Sequence, residues 1–436
     1  MPAETSAHRR LWRLAWPIML SNASVPLLGL VDTAVVGHLD DGRHLAAVAL
    51  GASLFSLVFW AFGFLRMGTT SILAQAYGRE DHVLLRGALL QSISLAVGLG
   101  SALILAQGAI LDLGIWILAP ATELLPLVQE YCQIRIWSAP ATLLNYSLLG
   151  ALLALQQARA PVLILLSINL SNIALDWLFA VHWQGFSAGV AWASLVAEYL
   201  GAATGLYLLR QPLASLGGHW PSWQQWRQLS WSRLLRTNRD LFIRTLCLLG
   251  SLLWFSRQGS LLGASVVAAN AILLQGLHLT AYVLDGFAHA LESLCGAAWG
   301  RGKKDELRAL VRAATQLSLL TALAWSLVFW LAGEYGIRLL TSQPEVLALC
   351  QSYLPWLWGL PLIAVWSYLY DGVLIGTGQI RLMRDTMLIA TLVYLLSWYF
   401  SQSLGNQGLW LAFWLFYLAR SAGVALVSRR LLTGSI

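Results

Sequence analysis

The segment SILAQAYGR (71–79) returns as SLCGAAWGR (293–301). Ser71 meets Ser293, Ala76 meets Ala298, Gly78 meets Gly300 and Arg79 meets Arg301, while Tyr77 faces Trp299. The same offset of 222 residues aligns Ala46-Ala47 with Ala268-Ala269, Gly150 with Gly372, Gln157 with Gln379 and Arg159 with Arg381. Apolar low-complexity sequence produces chance matches readily. Glycine and polar matches at one constant offset are much harder to produce that way, so the chain reads as an internal duplication.

What surrounds the repeated segment decides the fold class. Of 436 residues, 58% are apolar and only 11% are charged, where a water-soluble domain carries about a quarter. Apolar runs of about 20 residues, each enough to cross a bilayer as a helix, recur over 12–38, 45–77, 84–110, 122–155, 160–181, 186–209, 239–261, 265–298, 309–333, 346–376, 382–401 and 408–428. The reading is an all-α polytopic membrane protein of about twelve transmembrane helices in two six-helix repeats. The N-terminal lobe takes 1–210, a linker 211–238 and the C-terminal lobe 239–436. Six spans per half is an even number, so both halves insert the same way and the repeats are parallel. A soluble enzyme, a nucleic-acid-binding protein and a single-pass receptor with a large ectodomain are excluded. Two equivalent bundles facing a cleft suit alternating access.

The net charge of +7 is a topology signal rather than a sign of nucleic acid. Of the 27 Lys and Arg, all but Arg43, Arg257, Arg338, Arg66 and Arg135 are assigned to the side that holds the N-terminus. The positive-inside rule makes that side cytoplasmic, for both termini. Arg9, Arg10 and Arg13 precede an apolar stretch that runs past Gly37 without a small-residue cleavage site, so it is expected to stay as the first helix. The four cysteines stand singly, which gives neither a disulfide framework nor a zinc motif, and no metal site or cofactor is expected. The stretch His38–His44 reads as an extracytoplasmic turn about Asp41-Gly42. The linker carries Trp220, Trp223, Trp226 and Trp231 and is expected to lie at headgroup depth.

Six acids sit well inside the spans: Asp32, Asp176, Glu198, Asp285, Glu292 and Asp371. Each would cost ~2.5–3.5 kcal/mol at the centre of a lipid-facing helix, so they must face protein or a wet cavity. Asp32 shares the first helix with Pro17 and Pro26, residues that remove backbone hydrogen bonds and bend helices. Asn172 and Asp176 are spaced i,i+4 and share one face of the fifth helix. A carboxyl beside an amide in such a place can take up and release a proton, or serve as an interhelical clamp. Asp285 and Glu292, spaced i,i+7, and Asp371 are candidates for a cavity in the C-terminal lobe, or for pairing with cations such as Arg244. Glu198 is expected to form a structural bond, with Arg66 and Arg135 as candidate partners.

The strings AWPIMLSNASVPLLGLVDTAVVGHL (15–39), LAAVALG (45–51) and AQAYGRED (74–81) resemble the opening helices of the multidrug and toxic compound extrusion (MATE) family. FLRMGTT (64–70), NRDLFIRTLCL (238–248) and DGVLIGTGQ (371–379) are similar to its DinF branch, and the resemblance extends over both halves. It implies twelve helices in two lobes and cation-driven antiport of organic compounds, with no catalytic residues. By the resemblance, Asp32, Asn172 and Asp176 are proton-coupling residues of the N-terminal lobe. Ser194 stands where a threonine is usual, and Pro17 and Pro26 are the helix-bending positions. The tenth-helix acid of the sodium-coupled branch has no counterpart in register, since Asp371 falls elsewhere, which favours protons over sodium. The expected partners are small organic, lipophilic and often cationic substrates and the bilayer of a bacterial inner membrane, with the chain a monomer. A lipid-linked precursor flippase of the same superfamily and a sodium-coupled exporter are the alternatives.

Overall fold

The computed structural model of the chain describes residues 7–22 and 41–433. Helix α1 (7–22) is followed by α2 (Gly42–Ala61), α3 (Phe64–Gly78), α4 (His82–Leu105), α5 (Gln107–Leu118), α6 (Leu125–Arg135) and α7 (Ala139–Ala154). Then come α8 (Ala160–Asp176) with a π-helical extension Trp177–His182, α9 (Phe186–Ser215), α10 (Trp223–Gln228) and α11 (Trp231–Leu261). The chain finishes with α12 (Ala264–Gly300), α13 (Lys304–Leu340), α14 (Pro344–Thr377), α15 (Ile380–Ser401) and α16 (Asn406–Thr433). Among the described residues, nine helical stretches are long and apolar enough to cross a bilayer. The expected spans 186–209 and 239–261 are the helices α9 and α11, made less apolar by Glu198 in one and by Arg244 and Arg257 in the other. The span expected at 84–110 is instead broken at Ala106, between α4 and α5. Large apolar side chains such as Leu105, Leu339 and Phe400 lie exposed on the outer faces. A polytopic membrane protein presents such a surface to lipid.

The duplication reaches down to single hydrogen bonds. After α3, Arg79 N–H donates to Gln75 O and Asp81 N–H to Ala76 O; after α12, Arg301 N–H donates to Ala297 O and Lys303 N–H to Ala298 O. The residue turning the chain between them is left-handed in both, Glu80 at φ +59° and Gly302 at φ +71°. After α7 and α14 the pattern recurs: Gln157 N–H bonds Leu152 O and Gln379 N–H bonds Leu374 O, around Gln156 at φ +58° and Gly378 at φ +76°. These are Schellman-type endings, in which the bond satisfies an orphan carbonyl and demands a left-handed residue. The first half achieves it with side chains that tolerate the conformation poorly, the second with glycine.

The described chain forms two compact units, Leu20–Leu235 and Met1–Met19 with Arg236–Ile436. The start of the first helix groups with the second half of the chain. A Cβ on Gly286 of α12 would lie 3.1 Å from Ala15 O, Trp12 tilts against Phe287, and Arg10 pairs with Glu306 at 2.7 Å. The linker belongs to the other unit. Arg86 donates to Leu213 O at 2.7 Å and Arg233 to Gln75 Oε1 at 2.9 Å. Between them α10 is closed by a capping box of Ser222 and Gln225, and Trp226 packs against Trp223 and Trp231. At the start of α2, Asp41 is the N-cap, and hydrogen bonds from the Arg43 side chain hold its carboxyl down at about 2. The cap's contribution is thus complete above the ordinary carboxylate pKa and is lost only as pH falls through about 2.

The two units repeat one helix contact at equivalent glycines. In the first unit a Cβ on Gly150 of α7 would run into Arg66 O of α3; in the second, one on Gly372 of α14 would lie 2.6 Å from Ala288 O of α12. Arg66 and Ala288 are themselves equivalent in the repeat. Backbones this close leave no volume for a methyl group. Gly150→Ala and Gly372→Ala are each expected to lower stability by about 1–3 kcal/mol. Gly98→Ala, where nothing lies within 4 Å, is expected to be neutral or slightly stabilising. Thermal unfolding of the three purified variants measures this, and equal midpoints would show that the contact yields freely.

Candidate functional site

On α8 the polar residues are sorted by the helical period. Asn172 and Asp176 are 1% and 0% exposed, while Leu170 and Ile173 face outwards at 62% and 37%. Asn172 Nδ2 donates to Asp176 Oδ2 at 2.9 Å, the i,i+4 contact expected of the pair. Directly after Asp176 the helix widens into the π turn Trp177–His182, with Trp183 N–H bonded to Leu178 O. Such a turn departs from the regular ladder and is frequent at functional sites. It is pressed by α9, where a Cβ on Gly189 would lie 2.7 Å from the Ala180 backbone. Ser194 is buried further along α9, the helix that packs along α8. Pro17 lies buried within α1, which continues helical to residue 22. Asp32 and Pro26 lie outside the described residues.

Glu198 is fixed to two helices. Asn145 Nδ2 of α7 donates to Glu198 Oε2 at 2.9 Å and to its carbonyl at 3.0 Å. Arg135 of α6 brings Nη2 to 3.5 Å from Oε1 and also donates to Ser138 Oγ. Arg135, one of the two arginines expected near Glu198, is thus present, and Asn145 is an additional partner.

In the second unit Asp371 is clamped. Its Oδ2 accepts from Arg244 Nη2 at 2.7 Å and from Arg420 Nη2 at 2.6 Å, and all three residues are buried. Arg420 also lies over the rings of Tyr368 and Tyr417. The geometry therefore places Asp371 in a closed ion-pair cluster of α11, α14 and α16. Asp285 is half-buried and Glu292 buried on α12, where Gly376 meets the Glu292 backbone. Arg244 and Arg420, counted with the loops in the charge asymmetry, are interior residues. Arg420 was the residue missed as a partner, although it stands at the same offset from Glu198 that defines the repeat. A charge inside the span 408–428 was the available signal.

What the interior offers is a carboxyl–amide couple at a wide turn in one unit and a neutralised carboxylate in the other. A family model described as MatE matches residues 17–178 and 242–400, one segment in each half. The chain is 41% identical to DNA damage-inducible protein F of Escherichia coli (strain K12) over 430 residues, 98% of this chain and 93% of that one. It is 24% identical over 356 residues to a probable multidrug resistance protein NorM of Thermotoga maritima (strain ATCC 43589 / DSM 3109 / JCM 10099 / NBRC 100826 / MSB8), covering 78% of this chain and 73% of that one. Among solved structures, a MATE in the bent conformation superposes with a TM-score of 0.85 at 19% identity, over 100% of this chain and 98% of that one. An outward-facing multidrug resistance MATE transporter of the MOP superfamily gives 0.83 at 20% identity, over 98% and 96%. The chain belongs to the MatE family of multidrug and toxic compound efflux transporters and is a membrane transporter, not an enzyme.

Proposed function

We propose that the chain exports lipophilic, often cationic organic compounds in exchange for protons. It sits in a bacterial inner membrane with both termini cytoplasmic. The observation that carries this reading is the enclosed Asn172–Asp176 couple. A buried carboxyl that accepts from a neutral amide changes its hydrogen bonding when it gains or loses a proton. The π turn beside it is a backbone segment able to respond. Protons arriving from outside would reach Asp176, and Asp32 through the first helix, and their uptake would favour release of substrate. One elementary charge moving inwards across 100 mV supplies ~2.3 kcal/mol, a concentration ratio of roughly 50 at RT of about 0.6 kcal/mol. Sodium is less well served, because Asp371 already satisfies two guanidinium groups. The half-buried Asp285 offers negative charge for a cationic substrate.

Asp176→Asn and Asp32→Asn are expected to insert and fold but to lose efflux of a lipophilic cationic dye driven by a pH gradient in proteoliposomes. Substrate-dependent proton release from the detergent-solubilised protein should be independent of sodium and absent from both variants. Normal coupling in a well-expressed Asp176→Asn protein, or release that requires sodium, refutes the assignment. Arg420→Met, in contrast, breaks a buried pair and should cost about 3–5 kcal/mol, seen as a lower unfolding midpoint. Its protein that remains folded should retain proton coupling. Lost coupling at unchanged stability would move the cluster from scaffold to mechanism.

A further inference from the structure

The second unit closes one corner with a carboxylate between two arginines. Glu306 Oε1 accepts from Arg10 Nη1 of α1 at 2.7 Å and from Arg301 Nη2, just after α12, at 3.0 Å. At the repeat offset of 222 residues Arg301 corresponds to Arg79, just after α3, and Glu306 to Leu84 on the first turn of α4. Helix α11 is the counterpart of α1, and its Arg233 stands one residue beyond the counterpart of Arg10. The first unit thus keeps two cations and has a leucine in place of the carboxylate. Arg79, Leu84 and Arg233 line one cavity of about 100 Å³, together with Gln75, Gln91 and Ser230.

Among the described residues no carboxylate pairs with Arg79 or Arg233. Two acids follow Arg79 in sequence, and neither lines the cavity: Glu80 is exposed, and Asp81 accepts the Leu84 N–H at 2.9 Å as the N-cap of α4. Arg233 donates from Nη2 to the neutral Gln75 Oε1 at 2.9 Å, one bond from a group with five N–H donors. Burial and the charge of Arg79 both lower the Arg233 pKa, as expected of two cations that share a corner. We infer that this cavity binds a phosphate group, which bridges Arg79 and Arg233 as Glu306 bridges Arg301 and Arg10. Guanidinium forks match phosphate oxygens bidentately. The volume equals about three waters at ~30 Å³ each, enough for one such group and well below the ~300 Å³ of a pocket for a drug-sized compound. Both arginines are exposed, so the group can arrive as a soluble anion or on a lipid headgroup. Leu229 and Ser230 of the linker form one wall, and Gln91 Nε2 donates to Leu229 O at 3.4 Å, so bound phosphate fastens the linker to α3.

The test is the unfolding midpoint of the purified, detergent-solubilised chain, titrated with inorganic phosphate at an ionic strength held constant with potassium chloride, and separately with dioleoylphosphatidylglycerol. A rise with phosphate assigns the site to a soluble anion, and a rise with the lipid alone assigns it to a headgroup. R79Q should weaken the response about tenfold or more, and R79K should recover part of it. L84E supplies a carboxylate at the position of Glu306, so it should raise the midpoint without ligand and abolish the response. R301Q breaks the counterpart bridge, so it should lower the midpoint and leave the response intact. The inference is overturned if neither ligand raises the midpoint, or if R79Q or a folded L84E responds as the parent chain does. Should L84E fold poorly, R79Q and R79K decide the matter.

Discussion

Asp371 accepts 2.7 Å and 2.6 Å hydrogen bonds from Arg244 and Arg420 in a buried place. A charge in such a place is tolerated only when its counter-charge is fixed by another helix, so each interior ion decides which helices must be neighbours. Asp371 ties α14 to α11 and α16. Glu198 ties α9 to α6 and α7 through Arg135 and Asn145. Glu198 and Arg420 hold equivalent positions in the repeat, so one structural rule has been met with opposite signs. The last helix of each half is anchored by a charge, and the fourth helix supplies the partner: an amide in one case and a carboxylate in the other.

The two halves conserve backbone contacts while their interiors diverge. Gly150 and Gly372 preserve the closest helix approach, and the turns after α3 and α12 preserve their hydrogen bonds. The core of the first unit is largely Leu and Ala, including Leu73, Ala74, Leu148 and Ala151. That of the second is rich in aromatics, with Trp410, Phe413, Phe416 and Tyr394 packed together. Backbone proximity cannot be altered without moving whole helices. Side-chain volume can be redistributed among neighbours, which is why the packing drifted and the glycines did not.

Much of the fold was legible because bilayer thickness writes itself into the sequence as run length. The expected spans 265–298 and 346–376 coincide closely with α12 and α14. The couple of Asn172 and Asp176 was legible because i,i+4 contacts are local. Partners on distant helices were not: nothing near Glu198 points to Asn145, and nothing near Asp371 points to Arg420. The π turn after Asp176 was equally hidden, since a widened turn needs no special residue. The contacts of α1 with α12 were hidden for a related reason. Sequence order places it in the first lobe, while Ala15 and Trp12 are held by the glycine and aromatic at 286 and 287.

Both boundaries between the compact units, at Met19/Leu20 and at Leu235/Arg236, fall inside helices rather than loops. The first lies within α1, shortly after Pro17, and the second within α11. A helix transmits torsion and resists bending, and one that contains a proline lacks a backbone bond, so α1 is the more compliant of these two helices. The linker around Gly217 and Gly218 is fastened on either side, by Arg86 to Leu213 and by Arg233 to Gln75, which makes it a clasp.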